Sequence, residues 1–366
     1  MRRAYIERQR GEHGRKSVAV LPVHHPKELL TALDLLSVEL WGPPGPPRGP
    51  DVGRVQSYVC AVARNALAFL AAGHADVVDA VLYPHTCDSI QGLATLIPDF
   101  GGCAKPALTF LHPKGPSRPS ARTYLEAELR SLAASLEGIA GKELEPERLR
   151  AAIALHREID DTKARVLAGR ARLPLADRAL YEQLRRGEFL WPEEHLAELR
   201  ALEARLESAP VQRGVPVMVT GYVPEPMGIL DAIDDAGAFV AVDDWAAIGR
   251  RVTRAQTFDR AGEPFRALVD LYHAAPPCPT RHADQGARMR HLLDLFDRSG
   301  AAGVIVHEPK FCEPELFDVP AIKKTFADRK VPLLYLETEL EAELPGQTVT
   351  RIEAFVEMLQ SSRRAA

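Results

Sequence analysis

The 366-residue sequence predicts an α/β protein built as two parallel-sheet lobes with an inserted helical segment. Three observations carry this expectation. Short apolar runs alternate with helical periodicity at both ends of the chain, the pattern of strand–helix–strand units whose crossovers make sheets parallel. The middle third is Ala, Leu, Glu and Arg at helical spacing, with almost no β-branched runs. Hydrophobic residues make up 46% of the chain and charged ones 26%, so a chain of this length can bury more than one core. The expected boundaries are 17–119 for an N-terminal α/β lobe, 120–208 for the helical segment and 209–366 for a C-terminal α/β lobe.

The first lobe opens on the strand Ser17-Val-Ala-Val-Leu21. His24-His25 mark its end and the start of a helix, and Pro26 suits a first helical turn. Leu29, Leu30, Leu33 and Leu36 lie on one face of that helix. Val38-Glu-Leu-Trp41 reads as the second strand. The Pro- and Gly-rich run from Gly42 to Pro50 is too short for collagen and reads as an extended loop. Residues 53–73 are predicted helical, 79–83 a strand, 89–96 a short helix and 107–111 a strand.

Amphipathic helices follow, broken near Gly141, Pro174 and Trp191-Pro192. The last third alternates again. Strands are predicted over 215–222, 239–243, 303–307 and 331–337, and helices over 225–235, 267–274, 282–299, 316–329 and 351–360. Gly237 sits where a helix C-terminal stop is expected.

Charge and composition exclude several classes. With 46 basic against 50 acidic side chains the net charge is −4, and the basic balance of a nucleic-acid binder is absent. Mean hydropathy is −0.15 and no apolar run has membrane-spanning length, so no membrane span is expected. The first thirteen residues are basic but lack the apolar core of a signal peptide, and a cytoplasmic location is expected. Five cysteines, an odd number, speak against a disulfide framework and leave free thiols, redox chemistry or metal ligation.

Cys87 and Cys312 occupy the same context in the two end thirds: each follows a hydrophobic strand after a short loop and precedes a helix. In open parallel sheets ligands bind at the carboxyl ends of strands, and helix N-termini there favour anionic groups such as a thiolate or a metal–sulfur cluster. Cys60 lies early in a predicted helix. Read alone, each cysteine is equally readable as a small buried hydrophobe, and the compact ferredoxin and zinc-finger spacings are missing. Cys278 and His282 are four residues apart, but they sit in and beside a Pro-rich loop without a partner pair. No Gly-x-x-x-x-Gly-Lys-Ser/Thr, Gly-x-Gly-x-x-Gly or Gly-x-Ser-x-Gly sequence occurs, which argues against a P-loop ATPase, a dinucleotide dehydrogenase and an α/β-hydrolase.

Several stretches together resemble the subunits of 2-hydroxyacyl-CoA dehydratases and benzoyl-CoA reductases. The most specific is Lys310-Phe-Cys-Glu-Pro-Glu-Leu-Phe-Asp-Val-Pro320, continuing into Val331-Pro-Leu-Leu-Tyr-Leu-Glu-Thr-Glu339. Others are Tyr58-Val-Cys60 with Ala63-Arg64-Asn65, His85-Thr-Cys-Asp88, Val219-Thr-Gly-Tyr222, Gly237-Ala-Phe-Val-Ala-Val-Asp-Asp244 and the run from Gln347 to Leu359. The likeness covers both α/β thirds; the helical middle matches in character only.

The resemblance implies two Rossmann- or flavodoxin-like lobes with a [4Fe-4S] cluster held between them by three cysteines, here Cys60, Cys87 and Cys312. It implies a paired subunit, paralogous or a second copy, an acyl-CoA substrate, and a separate ATP-dependent iron–sulfur activator that supplies a low-potential electron. In the dehydratases that electron generates a ketyl radical which expels a hydroxyl; in the reductases electrons are consumed in an aromatic ring. It also leaves open an electron-relay or scaffold subunit, and a homodimeric double-cubane reductase of small molecules, which needs more cysteine ligands. No catalytic side chain is assigned. Glu39, Arg64, Asp88 and Glu313 are candidates to support the cluster or, equally, to form salt bridges. Cys103 and Cys278 are read as structural.

Overall fold

A computed structural model describes residues 2–45, 53, 55–100, 102–115, 117–212, 214–253, 262–281 and 284–365. Most of the Pro-rich run, at 46–50, and His282 lie outside the described residues.

Two four-stranded, wholly parallel sheets form the framework. The first holds β1 (Ser17–Val20), β2 (Leu36–Glu39), β3 (Ala80–Pro84) and β4 (Ala107–Phe110), in the order β2-β1-β3-β4. The second holds β5 (Val215–Gly221), β6 (Ala238–Trp245), β7 (Gly303–Pro309) and β8 (Leu333–Thr338), in the order β6-β5-β7-β8. The two orders are the same, so β3 and β7 hold equivalent places, and the loops after them carry Cys87 and Cys312.

The central strands β1, β3, β5 and β7 are buried along almost their whole length, because both faces of each sheet are covered there. In β1, Val18 and Val20 point to a core shared with α2 (Lys27–Ala32), α5 (Pro119–Ala140) and α6 (Pro146–Ala168), while Ala19 faces α3 (Ala61–Ala71) and α4 (Asp88–Phe100). In the second sheet, Val217, Val219 and Ile305 face α9 (Gly228–Asp235) and α13 (Gly346–Ala365). Met218, Val304 and Val306 face α11 (Gln285–Ser299) and α12 (Glu313–Asp328).

The inserted helices do more than separate the lobes. Helix α5 packs on the first sheet together with α10 (Pro264–Ala274), which belongs to the far end of the chain. Helix α7 (Asp177–Leu184) packs on α9, and α8 (Pro192–Glu203) on α6. Tyr181 donates from its hydroxyl to Asp243 at 2.9 Å, pinning α7 to β6. One continuous core therefore runs from the first sheet through the middle helices to the second.

Three expectations shift at their edges. The helix after Pro26 stops at Ala32, because Asp34 takes a left-handed φ of 54° and turns the chain into β2; Leu36 is a strand residue, not part of the helical face. The helix expected from residue 53 starts only at Ala61. A helix absent from the sequence reading, α1 (Arg2–His13), precedes β1, and its Tyr5, Ile6 and Gln9 are buried. Its own hydrophobic signal is sparse. It is held by polar and aromatic anchors: the Tyr5 hydroxyl accepts from the Trp191 amide at 2.8 Å, and Arg15 lies 3.7 Å over the Trp191 ring.

Gly221 ends β5 at a point where a side chain cannot fit. Its φ is 153°, and a Cβ there would stand 1.9 Å from the His307 carbonyl oxygen of β7. Gly221→Ala is expected to force the two strands apart and cost about 1–3 kcal/mol, the usual range for overpacking. A urea midpoint equal to that of the unsubstituted chain would contradict this.

Candidate functional site

All three cysteines stand at the step into a helix. Cys60 is the cap of α3 and accepts the Arg64 amide on its carbonyl at 3.1 Å; Cys312 is the cap of α12 and accepts that of Leu316 at 3.0 Å. The Cys87 carbonyl accepts the Gln91 amide at 3.0 Å, directly before α4. The loops deliver them with some strain: Phe311 turns at a φ of 62° immediately before Cys312.

The fold brings the three together. Cys60 and Cys87 from the first lobe and Cys312 from the second line one small chamber of about 20 Å³, with Tyr222, Thr280, Phe311 and Glu313. Cys60 and Cys312 are buried and Cys87 is half-buried, while Phe311 and Glu313 are exposed.

Electrostatics at the chamber is a contest between burial and helix starts. Burial, and next the Cys87 sulfur, pushes the Cys60 thiol up to about 12, against the amides of Ala63 and Val62 that favour its anion. Burial also raises Cys87, opposed by the amides of Ile90 and Ser89, and it raises Cys312 strongly, with Cys60 contributing next. Protein alone thus keeps the thiols protonated, and a cationic metal centre is what would favour their thiolates.

Among the described residues, no group of three or more His, Cys, Asp or Glu is placed to hold a single metal ion. A multi-iron cluster takes its thiolates one per iron, so its ligands stand wider apart than those of one ion. Three soft sulfur donors in one buried chamber, each at a helix start that favours negative charge, fit such a cluster.

Tyr222 and Thr280 belong to this site; Tyr222 lies in a stretch that carries the family resemblance, without a role assigned to it, and Thr280 had no sequence signal. Burial, followed by Cys87, Cys312 and Cys60, drives the Tyr222 hydroxyl well above its ordinary value, which sets it among the three thiols. Thr280 Oγ1 is 2.8 Å from His24 Nε2 and 3.0 Å from Cys278 Sγ, joining the two lobes across the chamber wall.

The remaining candidates divide. Arg64 pairs with Glu339 at 2.9 Å, and Glu39 accepts from the Trp41 indole at 3.1 Å and pairs with Arg251, so both are structural links between segments. The Asp88 side chain is 91% exposed and 3.6 Å from His85. Glu313 stays at the chamber. Cys103 is half-buried and packs against the main core. Cys278 does not line the chamber; burial works against its thiolate, but Arg250 and Arg281 hold its thiol below the ordinary range.

Arg250 ties this region together. Its guanidinium donates to Asp244 at 3.0 Å, to both carboxylate oxygens of Glu315 and to the Gly221 carbonyl at 2.9 Å, and all three of these charged side chains are buried. Because Glu315 lies one turn into α12, this clamp sets the helix start on which Cys312 sits.

Fold and site together define a class: a two-lobed α/β protein that carries three free thiols, from both lobes, into one chamber at the carboxyl ends of its strands. The chain belongs to the family of the 2-hydroxyglutaryl-CoA dehydratase D-component, whose family model matches residues 22–359. It is 26% identical to the lactoyl-CoA dehydratase subunit beta of Anaerotignum propionicum over 354 residues, covering 96% of this chain and 93% of that protein. Against the (R)-2-hydroxyglutaryl-CoA dehydratase subunit beta of Acidaminococcus fermentans it is 25% identical, covering 94% and 93%. Against one subunit of the benzoyl-CoA reductase of Thauera aromatica it is 27% identical, covering 87% and 84%. No helix among the described residues is long and apolar enough to cross a membrane.

Proposed function

We propose that this chain is the iron–sulfur subunit of a 2-hydroxyacyl-CoA dehydratase or benzoyl-CoA reductase-type enzyme, with Cys60, Cys87 and Cys312 holding one [4Fe-4S] cluster. The observation that carries the reading is the meeting of three thiols from three helix starts in one chamber. Such a cluster, when bound, supplies one-electron chemistry at low potential. The chain's own residues do the rest. The amides at the starts of α3 and α4 favour thiolate at Cys60 and Cys87. Tyr222 presents a neutral hydroxyl to the chamber, and Ile90 and Val62 line it with hydrocarbon, which limits water.

Within the assembly we infer a second subunit, a paralogue or a second copy, and an ATP-dependent iron–sulfur activator as the electron source, in the cytoplasm. The relatives' names, each given as one subunit of a larger enzyme, support the partner. So do Tyr58, Phe311 and Phe317, which are 60%, 42% and 71% exposed on segments that carry two of the thiols. The proposed units remain 17–119, 120–208 and 209–366.

The subunit either relays electrons or also contacts substrate. Anaerobic iron and sulfide analysis after reconstitution tests the cluster; fewer than about three irons per chain would overturn it. Electron paramagnetic resonance of the reduced chain tests the role. A relay subunit keeps its signal when acyl-CoA thioesters are added, whereas a changed signal makes this the substrate-binding subunit.

A further inference from the structure

A second cavity, about 210 Å³ in volume, lies between the lobes at the carboxyl ends of β1 and β2 and shares no wall residue with the thiol chamber. The loop from Cys278 to Arg281 stands between them: Thr280 faces the chamber, while Cys278 and Arg281 face the cavity. Its volume is an order of magnitude above the roughly 15 Å³ that one water requires, so it can take an organic molecule.

The lining has two characters. One part is hydrocarbon, from Phe110, Leu125, Leu129 and Leu268. The other is a polar stripe on α6, where His156, Asp160 and Lys163 fall on one face, opposite α2 and α8. Seven Lys and Arg side chains against four carboxylates line it, an excess of positive charge. Most of these charges are already matched. Lys27 is 3.5 Å from Asp160, Arg185 2.6 Å from Glu188, and Arg251 is paired with Glu39.

Two wall cations lack a carboxylate partner: Arg281, which donates to the Pro276 carbonyl and lies 5.2 Å over the Tyr272 ring, and Lys163. Lys163 has less to hold it. It makes no ion pair or hydrogen bond among the described residues. Burial, then the like charge of Lys27, pushes its ammonium down to about 8. A donor in the same wall is also unmatched: Arg251 Nη2 has no partner. Two consecutive residues at the entrance to α2, Val23 and His24, hold left-handed φ values of 63° and 57°. A β-branched residue rarely adopts that conformation, and such strain concentrates where a ligand is held.

From these features we infer that the interlobe cavity binds a small monocarboxylic acid with a hydrocarbon tail, its carboxylate on Lys163 and its tail against Leu125, Leu129 and Leu268. The Lys163 ammonium matches one negative charge. A phosphate dianion would leave the leucine wall uncovered, and the four wall carboxylates oppose its second charge. The site is independent of the thiols, so it stands or falls separately from the cluster reading.

The test is calorimetric titration of the full chain with hexanoate, and with two controls: hexylamine, with a like tail and the opposite charge, and inorganic phosphate, with charge and no tail. Hexanoate is expected to bind and the controls not. Lys163→Met, which removes a cation that holds nothing else in place, should weaken hexanoate by about tenfold or more with an unchanged thermal melt, and Lys163→Arg should restore it. Leu129→Ala should weaken it too, while Cys60→Ser should not. Binding of equal strength in the chain and in Lys163→Met, stronger binding of phosphate, or no hexanoate binding up to about 10 mM would overturn the assignment.

Discussion

Cys312→Ser is expected to abolish iron binding while leaving the fold in place. Serine matches the cysteine in shape and is itself a favoured helix cap, so α12 keeps its start. What is lost is a soft sulfur donor, and a hydroxyl does not replace it for iron–sulfur chemistry. Cys60→Ser and Cys87→Ser should behave alike, because each thiol enters the chamber from its own helix and none duplicates another. Cys278→Ser should keep the metal, since Cys278 faces the interlobe cavity instead. The measurements are iron and sulfide per chain, visible absorbance, and the thermal melt of the metal-free chain. Retention of full iron by Cys312→Ser would show that the ligand assignment is wrong.

Arg250→Met should be the most destabilising single change of a charged residue, at about 3–5 kcal/mol. The substitution leaves Asp244 and Glu315 buried with a main counter-charge removed; Arg288 and His291 remain on Asp244, but Glu315 loses its ion-pair partner. Glu308 makes the loss worse. Its carboxyl is fully buried with neither oxygen hydrogen-bonded, and burial followed by the charge of Glu315 holds it well above the usual carboxylate range. Arg250→Lys is expected to recover little, because an ammonium cannot serve Asp244, Glu315 and the Gly221 carbonyl from one planar fork. Urea unfolding measures the cost. A change below about 1 kcal/mol would mean that the clamp is solvated rather than sealed.

Much of the frame was legible from sequence for a simple reason. A parallel strand buried on both faces is apolar at nearly every position, as in Gly303-Val-Ile-Val306, and such runs stand out against amphipathic helices. Helix edges were less legible. Leucine spacing alone carries the helix after Pro26 on through Leu36, while the left-handed turn at Asp34 that ends it is a backbone event with no periodic signature. Helix α1 was invisible for a related reason: its stability comes from Trp191 and Glu194, about 185 residues away in sequence.

For the candidate site, sequence determined which side chains were available: three cysteines before helices, two of them in matching places in repeated strand–helix units, and motifs that place the chain in its family. Only the tertiary structure decided that Cys60, Cys87 and Cys312 share one chamber with Tyr222 and Thr280, and that Cys278 faces a different cavity. It also revealed Lys163 as a cavity-wall charge without a partner. The physical reason is that local chemistry is written in neighbouring residues, whereas a chamber is made by the packing of two sheets against shared helices. Which thiol meets which, and which charge is left over, depends on contacts that span most of the chain.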